Sequence, residues 1–339
     1  MIAVAVGLAA LIVSGVRLRR SSAEPDVSRA MTAVRAALRA FALLVVVEAL
    51  LGALGLLTAR NVAVVLGALA GTLLLWKPRQ QRVGAPRAAL SRLESSLFAI
   101  VCAALLLLLW RGLHRTDFPY DSLSYHLHAP VTWMNAQRIE IVPAVFGDPA
   151  PAYAPSNLEL WFLFLLAPLR SDYLAGAGQV PFAALAAAAI VASVREAGGQ
   201  RVAALGAAAA FLLIPEVQEQ APSAMVDVGM AALLLASLPF ARRAEVLTCV
   251  FALGLALGTK YVALVLALPF AVFAARLHAI VRSNVAADRD GFPIERSWAD
   301  DHPDRFMLSY ASPDARVYLI EAAGPRGTPA SENLGGAGI

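Results

Sequence analysis

Asp121, Tyr125 and His126 fall close together in the run DSLSYHLHAP, and Asp227 and Lys260 stand at the edges of apolar runs far along the chain. A carboxylate held at a partly desolvated membrane edge can have a raised pKa and act as general base toward a hydroxyl nucleophile. Asp121 is the residue such chemistry would use. Placed before Ser-Leu-Ser-Tyr-His, it would equally well cap a helix N-terminus. His126 and His128 are two apart, so on a helix they point to different faces. With His114, Asp117 and Asp121 nearby a divalent metal is conceivable, but the spacing matches no zinc pattern closely, and no metal ligand is assigned. Tyr120, Tyr125, Trp133 and Tyr153 could stack on a sugar ring or lipid head group, or belong to an interfacial aromatic belt.

Lys260 divides an apolar stretch that runs from Val246 to Arg276, where a cation is costly and by default functional. It could bind the phosphate of a lipid donor, with Gly258 allowing close backbone approach, or simply mark a turn between two short helices. Asp227, at the head of the run 228–241, could partner Lys260 or position an acceptor. Glu216, Gln218, Glu219 and Gln220 offer further hydrogen bonds, as would any solvated loop.

The elements that must position these groups are apolar. The chain has 339 residues, 59% hydrophobic and 15% charged, too few charges to cover a soluble core of that size. The expected fold is an all-α polytopic membrane protein with about nine transmembrane helices. The runs are 1–16, 40–59, 61–76, 95–110, 173–194, 202–215, 228–241, 246–259 and 261–275. Cys102 and Cys249 lie inside these runs and read as small buried hydrophobes.

Basic residues cluster in 17–39 and 77–94, which the positive-inside rule places in the cytoplasm. Spans 40–59 and 61–76 then form a hairpin turning at Thr58-Ala59-Arg60-Asn61, and span 95–110 delivers the polar loop 114–159 to the extracytoplasmic side. The arginines flank membrane helices, so membrane lipid explains them and nucleic acid does not. Counting crossings makes the ten-residue run 160–169 a re-entrant or interfacial helix. The organisation expected is therefore N-terminal transmembrane helices over 1–94, a membrane core over 95–276 and a polar tail over 277–339. In the tail, Phe306 to Tyr310 and Val317 to Glu321 alternate like strands and predict a small β-hairpin, while GPRGTPASENLGGAGI reads as disordered.

The order YDSLSYHLHAPVTWM, YAPSNLELWFLFLLAP, PEVQEQAPSAMVD and GLALGTKYVALVLALP resembles the GT-C superfamily of membrane-embedded glycosyltransferases. Within it, the pattern is similar to the bacterial branch related to protein O-mannosyltransferases and lipid A aminoarabinose transferases. The resemblance implies inverting transfer of a sugar from a polyprenyl-phosphate donor to a hydroxyl of a glycan, lipid or protein acceptor, at the outer face of a bacterial inner membrane. It implies Asp121 as the base and Lys260 as the donor-phosphate ligand. Asp227, Tyr125, His126, Tyr153, Glu159 and Gln218 are the further candidates for donor or acceptor binding. Many relatives have paired acids where this chain has Asp121-Ser122, and usually more helices after the lysine-bearing segment. A shortened, non-catalytic membrane scaffold is the alternative. A transporter should show repeated halves with broken helices, and no such repeat is seen.

Overall fold

The structure is a computed structural model that describes residues 29–75, 89–115, 118–143, 153–243, 245–269, 306–312 and 315–320. Two units are present, Met1–Leu277 and His278–Ile339. The first is helical among its described residues. Its helices are α1 Arg29–Ala53, α2 Ala59–Leu75, α3 Arg92–Leu113, α4 His128–Ala136, α5 Asn157–Leu166, α6 Val180–Glu196, α7 Arg201–Leu212, α8 Pro215–Gln220, α9 Asp227–Arg242 and α10 Val246–Leu257. A π-helix, Ser122–His126, leads into α4, and residues 262–269 are helical beyond α10. Two helices, α1 and α3, are long and apolar enough to cross a membrane; α2, α5, α7 and α10 are apolar but shorter.

Helix α1 begins well before residue 40, so the part of the basic segment from Arg29 onward is helix and not loop. A part-buried ion pair holds Arg35 within it. Arg35 donates from Nη2 to both carboxylate oxygens of Glu245, at 2.7 and 2.6 Å, and its guanidinium lies 5.4 Å from the centre of the Phe240 ring. The turn after α1 also falls earlier than expected: Leu54 to Thr58 make it, and Gly55 supplies a φ of 70°. Thr58 then caps α2 by accepting from the Asn61 amide at 3.1 Å. Helix α3 starts with a full capping box, in which Ser91 accepts from the Glu94 amide and Glu94 accepts from the Ser91 amide.

The run 173–194 is not one helix from its start. Residues up to Gln179 form turns, and α6 begins only at Val180, with Pro181 in its first turn. A close backbone crossing explains the delay: a Cβ on Gly176 would lie 2.4 Å from the Gly112 carbonyl oxygen at the end of α3. Helix α9 is the centre of the unit, packing against α6 and α10, while α6 also packs against α7 and α1. Ala183, Ala186, Ala189 and Ala192 of α6 are fully buried, and their small side chains let the neighbouring helices approach closely. Large apolar side chains point outward instead on α3 (Leu106, Trp110), on α10 (Leu247, Val250) and on the helix after it (Val265, Leu268).

The second unit contains an antiparallel hairpin of β1 Phe306–Ser312 and β2 Ala315–Ile320, with Phe306 opposite Ile320 and Ser312 opposite Ala315. Both strands reach further toward the turn than the expected runs, and Leu308 to Tyr310 carries a register shift. Glu321, the run 1–16 and the terminal GPRGTPASENLGGAGI lie outside the described residues.

Candidate functional site

Four element ends meet: the π-helix, the first turn of α5, the first turn of α9 and the segment after α10. The π-helix sets the inner arrangement. Its wider turn brings residues four apart nearly over one another, and π-turns recur at functional sites. Tyr125 thus lies close enough to Asp121 for that carboxylate to act on its phenol, while Ser122 and His126 face inward together, 0% and 2% exposed. Asp121 does not cap the helix. Its own backbone is already helical (φ −61°, ψ −36°), unlike the extended backbone of a cap residue, and its side chain makes no capping bond.

His126 connects the π-helix to α5. Its Nδ1 lies 2.6 Å from Glu159 Oε1, and its ring stands 4.1 Å from that of Tyr125. Glu159 is only 5% exposed, so this is a buried contact between an acid and an imidazole. Three polar atoms beside it lack partners, namely Ser122 Oγ, His126 Nε2 and Glu159 Oε2. Leaving one partner of a buried hydrogen bond unsatisfied typically costs about 1–3 kcal/mol. Glu159→Ala is therefore expected to lower the unfolding midpoint of the purified protein clearly, and Glu159→Gln, which keeps an acceptor for Nδ1, to lower it less. Equal midpoints for wild type and Glu159→Ala would contradict the pair's structural weight.

Helix α5 is positioned from behind by the end of α10. The Asn157 amide donates to the Gly258 carbonyl at 2.8 Å, and the Asn157 side chain donates to the Leu255 carbonyl at 3.1 Å. A Cβ on Gly258 would lie 2.1 Å from Asn157 Nδ2, so the glycine is needed for this docking. The close approach that Gly258 permits is thus taken by Asn157. Helix α9 comes equally close, since a Cβ on Gly229 would meet Leu158 Cδ2 at 2.3 Å.

This docking carries Lys260 to Asp227. Nζ and Oδ1 are 2.7 Å apart, and both side chains are about one-third exposed, at 33% and 30%. The Asp227 carboxylate is near enough to act on Tyr125, as is Glu159. Burial first, then Asp121 beside it, then Asp227 and Glu159, hold the Tyr125 phenol far above its ordinary value. The phenol stays neutral across the physiological range and keeps its proton available to the Asp121 carboxylate beside it. Tyr125 is the side chain through which the separate acids of the site meet.

Of the other candidates, Tyr153 is exposed and its carbonyl accepts from the hydroxyl of Tyr261, the neighbour of Lys260. Gln218 turns to different partners: it donates to the Leu212 carbonyl and accepts from Arg111 at 3.4 Å, while Glu219 pairs with Arg111 at 3.2 Å. The histidines do not gather. His114 contacts the Trp110 carbonyl through Nδ1, and among the described residues no three His, Cys, Asp or Glu side chains cluster as a metal site. Asp117 lies outside the described residues.

Ser122, Asn157 and Tyr261 join the site without having been singled out as candidates in the sequence. Each sits next to, or one turn from, a residue that was, which is the only signal the sequence carries for them. Compared with family models, with curated proteins and with solved structures, the chain matches none.

Proposed function

We propose that the chain is a membrane glycosyltransferase that moves a sugar from a polyprenyl-phosphate donor to an acceptor hydroxyl, inverting the anomeric centre. The observation that carries this reading is the convergence of Asp121, Tyr125, Asp227 and Lys260 from three separated segments at one place. Asp121 takes the acceptor proton as the hydroxyl oxygen attacks the anomeric carbon. The bond to the donor phosphate breaks, and the electron pair leaves with the phosphate oxygen. Lys260 has three N–H donors, of which one points at Asp227, so others are free to meet that oxygen as its charge grows. The phenol of Tyr125 holds Asp121 in place until the acceptor hydroxyl takes over its position as donor.

The outward apolar faces of α3, α10 and the helix after it suit a hydrocarbon surrounding and a prenyl chain. In this reading the crossings number about nine: the sequence run 1–16, α1, α2, α3, α6, α7, α9, α10 and the helix that starts at 262. Helices of 12 residues such as α7 and α10 rise about 18 Å against a hydrocarbon core of roughly 30 Å, so polar flanks and local thinning complete them. Helix α5, with ten residues, is the re-entrant element. The site faces the extracytoplasmic side of a bacterial inner membrane, and the donor is the cofactor-like lipid the protein needs; acceptors are glycan, lipid or protein hydroxyls.

The ion pair of Lys260 with Asp227 also favours a second reading, a non-catalytic scaffold in which the pair ties α9 to the end of α10. Donor binding separates the two. Titrating the purified protein with a short-chain polyprenyl-phosphate sugar should give a saturable change in tryptophan fluorescence, which the same prenyl alcohol without phosphate does not reproduce. Identical curves for the two compounds would favour the scaffold.

A further inference from the structure

Glu48 lies in the middle of an apolar helix and is 1% exposed. Its Oε2 has no hydrogen-bond partner, and among the described residues no basic side chain pairs with it. The carboxylate borders a narrow pocket with room for a single water-sized particle. Leu57, Thr58 and Val62 line it from the α1–α2 turn and the start of α2, and Phe164 and Pro168 from the end of α5.

The oxygens around this cavity are short of donors. Residue 168 is proline, so the Phe164 carbonyl has no N–H four residues on to accept from. The Leu57 and Thr58 amides are already given to the Gln137 and Leu56 carbonyls, at 2.9 Å each. The amino end of α2 and the carboxyl end of α5 both border the space, and their partial charges, each about half an elementary charge and opposite in sign, largely offset one another. An ionised Glu48 would stand uncompensated there, and burying an isolated carboxylate is strongly unfavourable, so the group must be neutralised by a bound proton or a bound cation.

We infer that this cavity is a monovalent cation site, in which a sodium-sized ion is held by the Glu48 carboxylate with Thr58 Oγ1 and carbonyl oxygens of the α5 end. A single positive charge neutralises Glu48, whereas a divalent ion would leave an excess charge among Leu57, Val62 and Phe164. A proton would neutralise it too, but needs no space. The cavity borders the same turn that the polar loop touches, through Leu57 to Gln137 and through Ile139 to Gly52, so water at that face is close by. The bound ion joins the α1–α2 turn to α5, the helix whose other end presents Glu159.

The test is thermal unfolding of the full chain in detergent, with sodium chloride titrated against choline chloride at constant ionic strength. Sodium should raise the midpoint saturably by about 2–4 °C at high occupancy. Glu48→Gln keeps the side chain's shape and removes the buried charge, so it should fold and lose the sodium effect. A second measurement needs no variant: the sodium-23 NMR line of a sodium solution should broaden on adding wild-type protein and narrow again with lithium as competitor. Equal midpoints in sodium and choline would overturn the site in favour of a bound water or proton, and a sodium shift retained in Glu48→Gln would place the ion elsewhere.

Discussion

Replacing Asp121 with Asn should lower the rate of sugar transfer by about 10²–10⁴-fold, the usual contribution of a general base. The substitution keeps the shape of the side chain and leaves an oxygen for the Tyr125 phenol, so the π-helix should keep its fold. Donor affinity should change little, because the donor phosphate is assigned to Lys260 and not to Asp121. The pattern to look for is a large fall in kcat with an almost unchanged binding curve. Tyr125→Phe provides the contrast. It removes the donor to Asp121 without removing the base, and its effect should be far smaller than that of Asp121→Asn. If Asp121→Asn transfers at the wild-type rate, another group takes the proton.

Lys260→Met should lower kcat by about 10²–10³-fold, the loss seen when a group that stabilises developing negative charge is removed. It should also weaken donor binding, since in the proposed mechanism the ammonium meets the phosphate in the ground state as well. A complication is structural: the variant leaves the Asp227 carboxylate, about one-third exposed, without its cation at 2.7 Å. The double variant Lys260→Met with Asp227→Asn removes both charges and should recover much of any lost stability. Its activity should stay low. That split, stability recovered and transfer absent, distinguishes a catalytic lysine from one that only ties two helices, for which the double variant would behave like wild type in every assay.

The positions of helices were legible where apolar runs had sharp polar ends. The helix over the run 95–110 and the break at Gly258 to Lys260 are of this kind. The boundaries that failed did so where tertiary contacts outweigh local pattern. Arg35 looks like a loop residue in sequence, yet Glu245, more than two hundred positions away, makes it affordable inside α1. Gly176 looks like a helix residue, yet its backbone contact with Gly112 delays α6 until Val180. In the site, the candidate acids and Lys260 could be named because charged residues at apolar edges stand out. Their pairing could not. That Asp121 would stand beside Tyr125 and not cap its helix depends on a π-turn, and no residue pattern in DSLSYHL distinguishes that turn from an ordinary α-helix. Gln218 shows the opposite limit: its polar type invited a binding role, and its hydrogen bonds go to Arg111 and the Leu212 carbonyl.

The most direct measurement is transfer itself, made with vesicles containing the purified wild-type protein and a panel of radiolabelled polyprenyl-phosphate sugars offered together with membrane extract as acceptor. Radioactivity passing from one of these donors to an acceptor, with the anomeric configuration inverted in the product, is the predicted result. Well-folded protein that transfers nothing from any donor, or that forms a product with retained configuration, would contradict the assignment of Asp121 and Lys260 to an inverting glycosyl transfer.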